Sequence, residues 1–223
     1  MSRYGRFLWL CLAFLGSLGA SRAEAAPVRL SEVLYDALGS DDGNVFVELF
    51  GPAGLSLDGF VVEGVNGAGG AIGPVLGLSG TVPEGGFFVV ADLAGKTTAV
   101  LGADLLLDFD FQNGPDSVVL RAPSGEVIDA LAYGVFGPTD VLAGEGTPAP
   151  DPAAGRSLAR RFANLDTDDN ARDFEILASP TPGFGPTQVP EPTRGALLMA
   201  ALAAWLCARR TTRAVPQLAS RWL

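Results

Sequence analysis

The residues with the best claim to chemistry in this chain are acids. Asp166, Asp168 and Asn170 recur at a spacing resembling that of calcium loops, with Asp169 and Asp173 beside them. Calcium takes several oxygen ligands from a flexible loop, so this set could hold one. Ala171 stands where an EF-hand needs glycine, and Leu177 where it needs a bidentate glutamate, so the stretch is not an EF-hand. A hydrogen-bonded acidic turn is the competing reading. Asp36, Asp41, Asp42 and Asn44 make a second acidic turn, read as a hairpin loop whose side chains satisfy nearby backbone groups. Glu32 and Glu48 each sit inside an otherwise apolar run and raise a third possibility, a glycosidase-type carboxylate pair. The sequence offers no sugar-binding cleft to go with it. Trp9, Trp205 and Trp222 all lie in the terminal segments, so the region between them has no tryptophan on which a sugar could stack.

Other chemistry is excluded by composition. The chain has no histidine, which removes Ser-His-Asp and Cys-His catalysis and the usual imidazole metal ligands. Its two cysteines, Cys11 and Cys207, fall in the two terminal apolar runs, so no disulfide or thiol chemistry is expected between them. Residues 26–192 carry 24 Asp and Glu against 7 Lys and Arg, a net charge of −17. Such a surface repels phosphate and argues against a nucleic-acid partner. Gly64–Gly73 is glycine-rich, but it lacks the dinucleotide spacing, has no Gly-Lys-Ser/Thr and precedes no helical pattern; it reads as a loop.

Both ends read as targeting signals. Arg3 and Arg6, the apolar run Phe7–Ala20 and the small-x-small site Ala23-Glu24-Ala25 form the pattern of a secretory signal peptide over residues 1–25, cleaved after Ala25. The run is short for a retained anchor and is broken at Gly16 and Gly19. At the other end, Val189-Pro190-Glu191-Pro192 precedes the apolar run 195–208, expected as a hydrophobic helix, and then Arg209-Arg210. That order resembles the PEP-CTERM sorting signal of Gram-negative bacteria. The resemblance implies recognition by an exosortase-type membrane protease and transient membrane anchoring through the helix 195–208 of a sorting tail over residues 188–223. The prolines keep the recognition site extended, and the arginines stay on the cytoplasmic side. At roughly 1.5 Å per residue the run spans about 21 Å, so the flanking arginines must snorkel to complete a crossing.

What must position the acids is a series of short strands. Between residues 26 and 187 no stretch keeps a helical period, while apolar alternation and turn clusters recur throughout. Leu30–Phe50 reads as two strands around the Gly39–Asn44 turn. Leu57–Gly64 follows, then a long loop with at most a weak strand at Ala71–Leu76, and a strongly apolar strand at Phe87–Ala91. Leu105–Phe111, Ser117–Arg121, Glu126–Tyr133 and Arg156–Phe162 complete the set, with Asn113-Gly114-Pro115-Asp116 as a turn and Asp140–Gly155 as a loop. Seven or more such strands predict an all-β antiparallel sandwich.

Leu30-Ser31-Glu32-Val33-Leu34-Tyr35 followed by Phe46-Val47-Glu48-Leu49, then Leu57-Asp58-Gly59-Phe60, and the phrase from Gly114 to Tyr133, together resemble the lamin tail domain in its bacterial, secreted form. Gly51 replaces the family's asparagine after the second strand, and Gly59-Phe60 its common Gly-Trp. The resemblance implies an immunoglobulin-like fold, no catalytic centre and no required cofactor. It also implies a role as an exported interaction or structural module at the cell surface or in the extracellular matrix, with extracellular polysaccharide or envelope proteins as partners. A carboxylate-based polysaccharide hydrolase and a calcium-dependent adhesive module are the two alternatives.

Overall fold

A computed structural model describes residues 28–187. The chain separates into the units Met1–Thr187 and Gln188–Leu223. The signal-peptide reading and the sorting residues Val189, Pro190, Glu191, Pro192, Arg209 and Arg210 lie outside the described residues, as does the apolar run 195–208. Among the described residues no helix is long and apolar enough to cross a membrane.

The described residues form an all-β structure of two sheets, consistent with a β-sandwich. The strands are β1 Arg29–Leu34, β2 Phe46–Phe50, β3 Val61–Asn66, β4 Ile72–Gly77, β5 Phe87–Asp92, β6 Leu105–Leu107, β7 Asp116–Arg121, β8 Val127–Tyr133, β9 Ser157–Arg160 and β10 Phe174–Leu177. A single helical turn, α1 Asn170–Asp173, precedes β10. One sheet has the order β10-β9-β1-β2-β5-β6, the other β4-β3-β7-β8.

Alternating side chains place the core between the sheets. Leu30, Val33, Val47, Leu49, Phe88, Val90 and Leu158 come from the larger sheet, and Val62, Leu76, Val118, Leu120, Leu131 and Tyr133 from the smaller, all in one buried cluster. Tyr35 stacks on Tyr133 at 4.0 Å between ring centroids. The opposite face of the larger sheet carries its own apolar cluster, Leu34, Phe46, Val89 and Ala91.

Three elements depart from the strand pattern read in the sequence. The expected strand Leu105–Phe111 stops at Leu107, because the Phe109 N–H leaves the ladder for Asp92 Oδ1 at 2.8 Å. Its pairing with β5 is parallel, whereas every other named strand pair is antiparallel. The weak strand in the glycine-rich region is β4, held by pairing with β3 despite its exposed side chains. Finally, Asp166–Gly183 contains both α1 and β10, and β10 pairs with β9.

Candidate functional site

A bulge decides where the first glutamate points. In the β1–β2 pairing Leu30 lies opposite Leu49 and Glu32 opposite Glu48, with a register shift between Leu30 and Glu32. Residues two apart on a regular strand share a face. The extra residue turns Leu30 into the core and Glu32 to the outer face of the sheet, beside Glu48.

There the two glutamates grip the segment that follows β10. Glu32 accepts the Thr181 N–H at 2.9 Å, the Thr181 hydroxyl at 2.7 Å and the Ser157 hydroxyl from β9. Glu48 Oε2 accepts the Gly183 N–H at 2.5 Å, while Glu48 Oε1 is buried with no hydrogen-bond partner. Both carboxyls are enclosed, at 1% and 0% exposure, so neither faces a substrate-sized opening. Gly183 adopts a φ of +85°, which a side chain would strain. A Cβ on Gly185 would lie 3.0 Å from the Phe87 ring. Residues 180–185 thus form a strap across the outer face. Pro180 and Pro182 of the strap join Leu34, Phe46, Val100 and Leu101 around a cleft of about 270 Å³. Burial pushes the Glu48 carboxyl up to about 8; hydrogen bonds from Ser31 and Gly183 oppose this, and Glu32 and Asp104 add repulsion.

The second cluster centres on Arg160, which lies on β9 two residues beyond the core residue Leu158. Its guanidinium is fully enclosed. Both oxygens of Asp129, on β8, accept from Nη2 at 2.9 Å. Nη1 reaches Asp173 at 3.1 Å, the Leu165 carbonyl at 3.1 Å and Asp166 at 3.4 Å, and Nε donates to the Leu30 carbonyl at 3.0 Å. The Phe174 ring lies beneath the cation, 4.6 Å away. Burial pushes the Asp129 carboxyl up, against the pull of Arg160.

Of the proposed calcium set, Asp166 and Asp173 reach this arginine, and Asn170 and Asp168 are placed elsewhere. Asp173 is buried and also accepts the Thr167 N–H and hydroxyl, each at 2.8 Å. Asn170 is buried; its Oδ1 accepts the Ala132 and Glu145 N–H groups at 2.9 Å, and its Nδ2 donates to the Ala130 carbonyl at 2.8 Å. Gly144 lies so close that a Cβ there would be 2.6 Å from Asn170 Oδ1 and 2.4 Å from the Ala132 nitrogen. Asp168 is exposed, with a φ of +54°, and Asp169 caps α1 by accepting the Arg172 N–H. Asp166 ion-pairs with Arg160 and, at 3.7 Å, with Arg29.

A different trio comes closest to a cation-binding geometry. Oxygens of Asp129, Glu145 and Asp166 lie within 4.8 Å of one another. Glu145 Oε2 is buried without a hydrogen-bond partner, and burial, with Asp129 and Asp166 nearby, pushes this carboxyl up to about 8. Arg160, which lowers it, already supplies a positive charge to the same trio.

The other acidic turn is occupied by the backbone. Asp41 Oδ1 accepts the Ala37 N–H at 2.6 Å, and the Asn44 amide donates to the Ser40 and Asp42 carbonyls. Gly64–Gly73 forms the end of β3 and the turn into β4, with no helix after it. The sequence reading missed Arg160 as an organising cation, although its two-residue offset from Leu158 placed it on the core face. Comparison with protein-family models and with curated proteins gives no match to this chain.

Proposed function

We propose that this chain is an exported, non-enzymatic interaction or structural module, an immunoglobulin-like domain of the lamin tail type. In this reading it is sorted by an exosortase-type system to the surface or matrix of a Gram-negative bacterium. The observation that carries the reading is the employment of its buried acids and of Asn170. Glu32, Glu48, Asp129, Asp173 and Asn170 are buried, and each holds the chain's own backbone or side chains. A glycosidase pair must face an open cleft with room for substrate between its carboxyls. Glu32 and Glu48 face a strap instead. The signal-peptide pattern and the Val189–Pro192 and Arg209-Arg210 pattern support export and sorting.

The test is co-sedimentation of the exported protein with the host's matrix polysaccharide and envelope fraction, with reducing ends measured in parallel. Retention without release of reducing ends is expected. Release that disappears in Glu48→Gln would overturn the reading in favour of the hydrolase. The calcium-dependent adhesive reading draws on the Asp129–Glu145–Asp166 trio and requires retention that a chelator abolishes.

A further inference from the structure

We infer that Glu32 and Glu48 form a proton-linked clasp on the strap 180–185, which tightens as the medium acidifies and loosens as it turns alkaline. This inference rests on the geometry of the sheet face and not on the export reading.

The groups around Glu48 explain the linkage. From β1 come the facing carboxylate Glu32 and the Ser31 hydroxyl; from the turn ahead of β6 comes Asp104, which accepts the Val89 N–H of β5. The strap contributes only the Gly183 N–H to Glu48 and the Thr181 N–H and hydroxyl to Glu32. Both charged neighbours that act on Glu48 are therefore acids. A second negative charge in this enclosed place is opposed by desolvation and by repulsion. With a proton on Glu48 the closed strap carries one carboxylate at the pair rather than two.

The direction follows from where the proton goes. In the closed state the Glu48 carboxyl is pushed from 4.5 up to about 8, so it keeps its proton through neutrality. Once the strap lifts, the carboxyl is hydrated and loses that proton. Closing takes up a proton, and raising the pH favours opening. Opening uncovers Phe87, over which Gly185 sits, and the Leu34 and Phe46 side of the cleft. The clasp therefore couples pH to exposure of an apolar sheet face.

Hydrogen–deuterium exchange of the full chain, corrected for the intrinsic pH dependence of exchange, tests this directly. Protection of residues 178–187 should fall by up to about tenfold per pH unit between about pH 5 and pH 8, then level off. The amides of β5 serve as the internal reference and should stay protected. Glu48→Gln, which cannot ionise, should hold the strap with no such slope. A flat profile in the wild-type chain, or an unchanged slope in Glu48→Gln, overturns the clasp. If that variant does not fold, the wild-type Glu48 carboxyl carbon can be titrated by NMR. A midpoint near 8, with the Thr181 and Gly183 amide resonances moving together, is expected; a midpoint near the ordinary 4.5 overturns the proposal.

Discussion

Arg160 on β9 and Asp129 on β8 meet through two hydrogen bonds of 2.9 Å, both side chains at 0% exposure, and so join the two sheets through the core. The Asp129 Oδ2 atom also accepts the Leu30 N–H at 2.6 Å, in the gap made by the β1 bulge. One ion pair thus ties β8, β9 and β1 together. It makes an acid cluster that looks like a cation site in the sequence into the surroundings of an arginine.

Removing both members of this pair should cost less than the two single removals added together. Arg160→Met leaves Asp129 as an uncompensated buried charge, and the expected loss is about 3–5 kcal/mol. The double variant Arg160→Met with Asp129→Leu should lose less than the sum of the two single changes. Denaturant unfolding of the four proteins checks this, and simple additivity would mean that the two side chains act independently.

The members of the proposed calcium set should differ sharply in stability terms. Asn170→Ala removes the partner of three backbone groups, two of them buried on β8, and should cost at least about 2 kcal/mol. Asp168→Gly, at an exposed position with positive φ, should stay within about 0.5 kcal/mol of the wild type. Thermal or denaturant melts of the two variants give the comparison.

Calcium itself should do nothing to the melting temperature. Asp173 spends both oxygens on Thr167 and Arg160, and Arg160 already places a cation beside Asp129 and Asp166. Calcium on the order of millimolar, a range used by extracellular modules, is the relevant addition. A rise reversed by a chelator would contradict this account and place an ion at the Asp129–Glu145–Asp166 trio.

Stability should decline from mildly acidic to alkaline pH. Glu48 and Glu145 are each pushed by burial from 4.5 up to about 8. Their stabilising share is complete below about 4.5, where folded and unfolded chains are both protonated. It is lost as the unfolded chain ionises while the folded one does not, and the loss is complete once the pH has passed about 8. Glu145 is partly exposed and contributes less. Melting temperatures across this range should fall, and Glu48→Gln should gain on the wild type as the pH rises.

The strands that were legible in the sequence are those with apolar runs buried on both faces. In β2, β5, β7 and β8 the apolar runs and their bounding turns mark the elements to within a residue or two, while β1 starts as read but ends at Leu34, well before the Gly39–Asn44 turn. β4 is hard to read because Ile72 and Val75 are exposed and the run contains glycine and proline; its pairing with β3 holds it in place. β10 is short and follows directly on α1, so it has too few residues to display a period. Glu32 and Glu48 stood out as acids among apolar residues, but their role depends on a strap more than a hundred residues away. Local pattern carries no trace of such a contact. Arg160 is intermediate: the alternation of β9 put it inward, and an inward arginine in so acidic a chain needs carboxylate partners.

The reading proposed above is that a β domain is exported and sorted, with processing at its two ends. Its most direct test is the intact mass and cellular fraction of the full chain expressed in an exosortase-bearing host. The account predicts a protein at the surface or in the medium that has lost mass at both ends, leaving a β domain near residues 26–190. An intact C-terminus in the cytoplasmic membrane would contradict it and leave the tail as an ordinary short anchor.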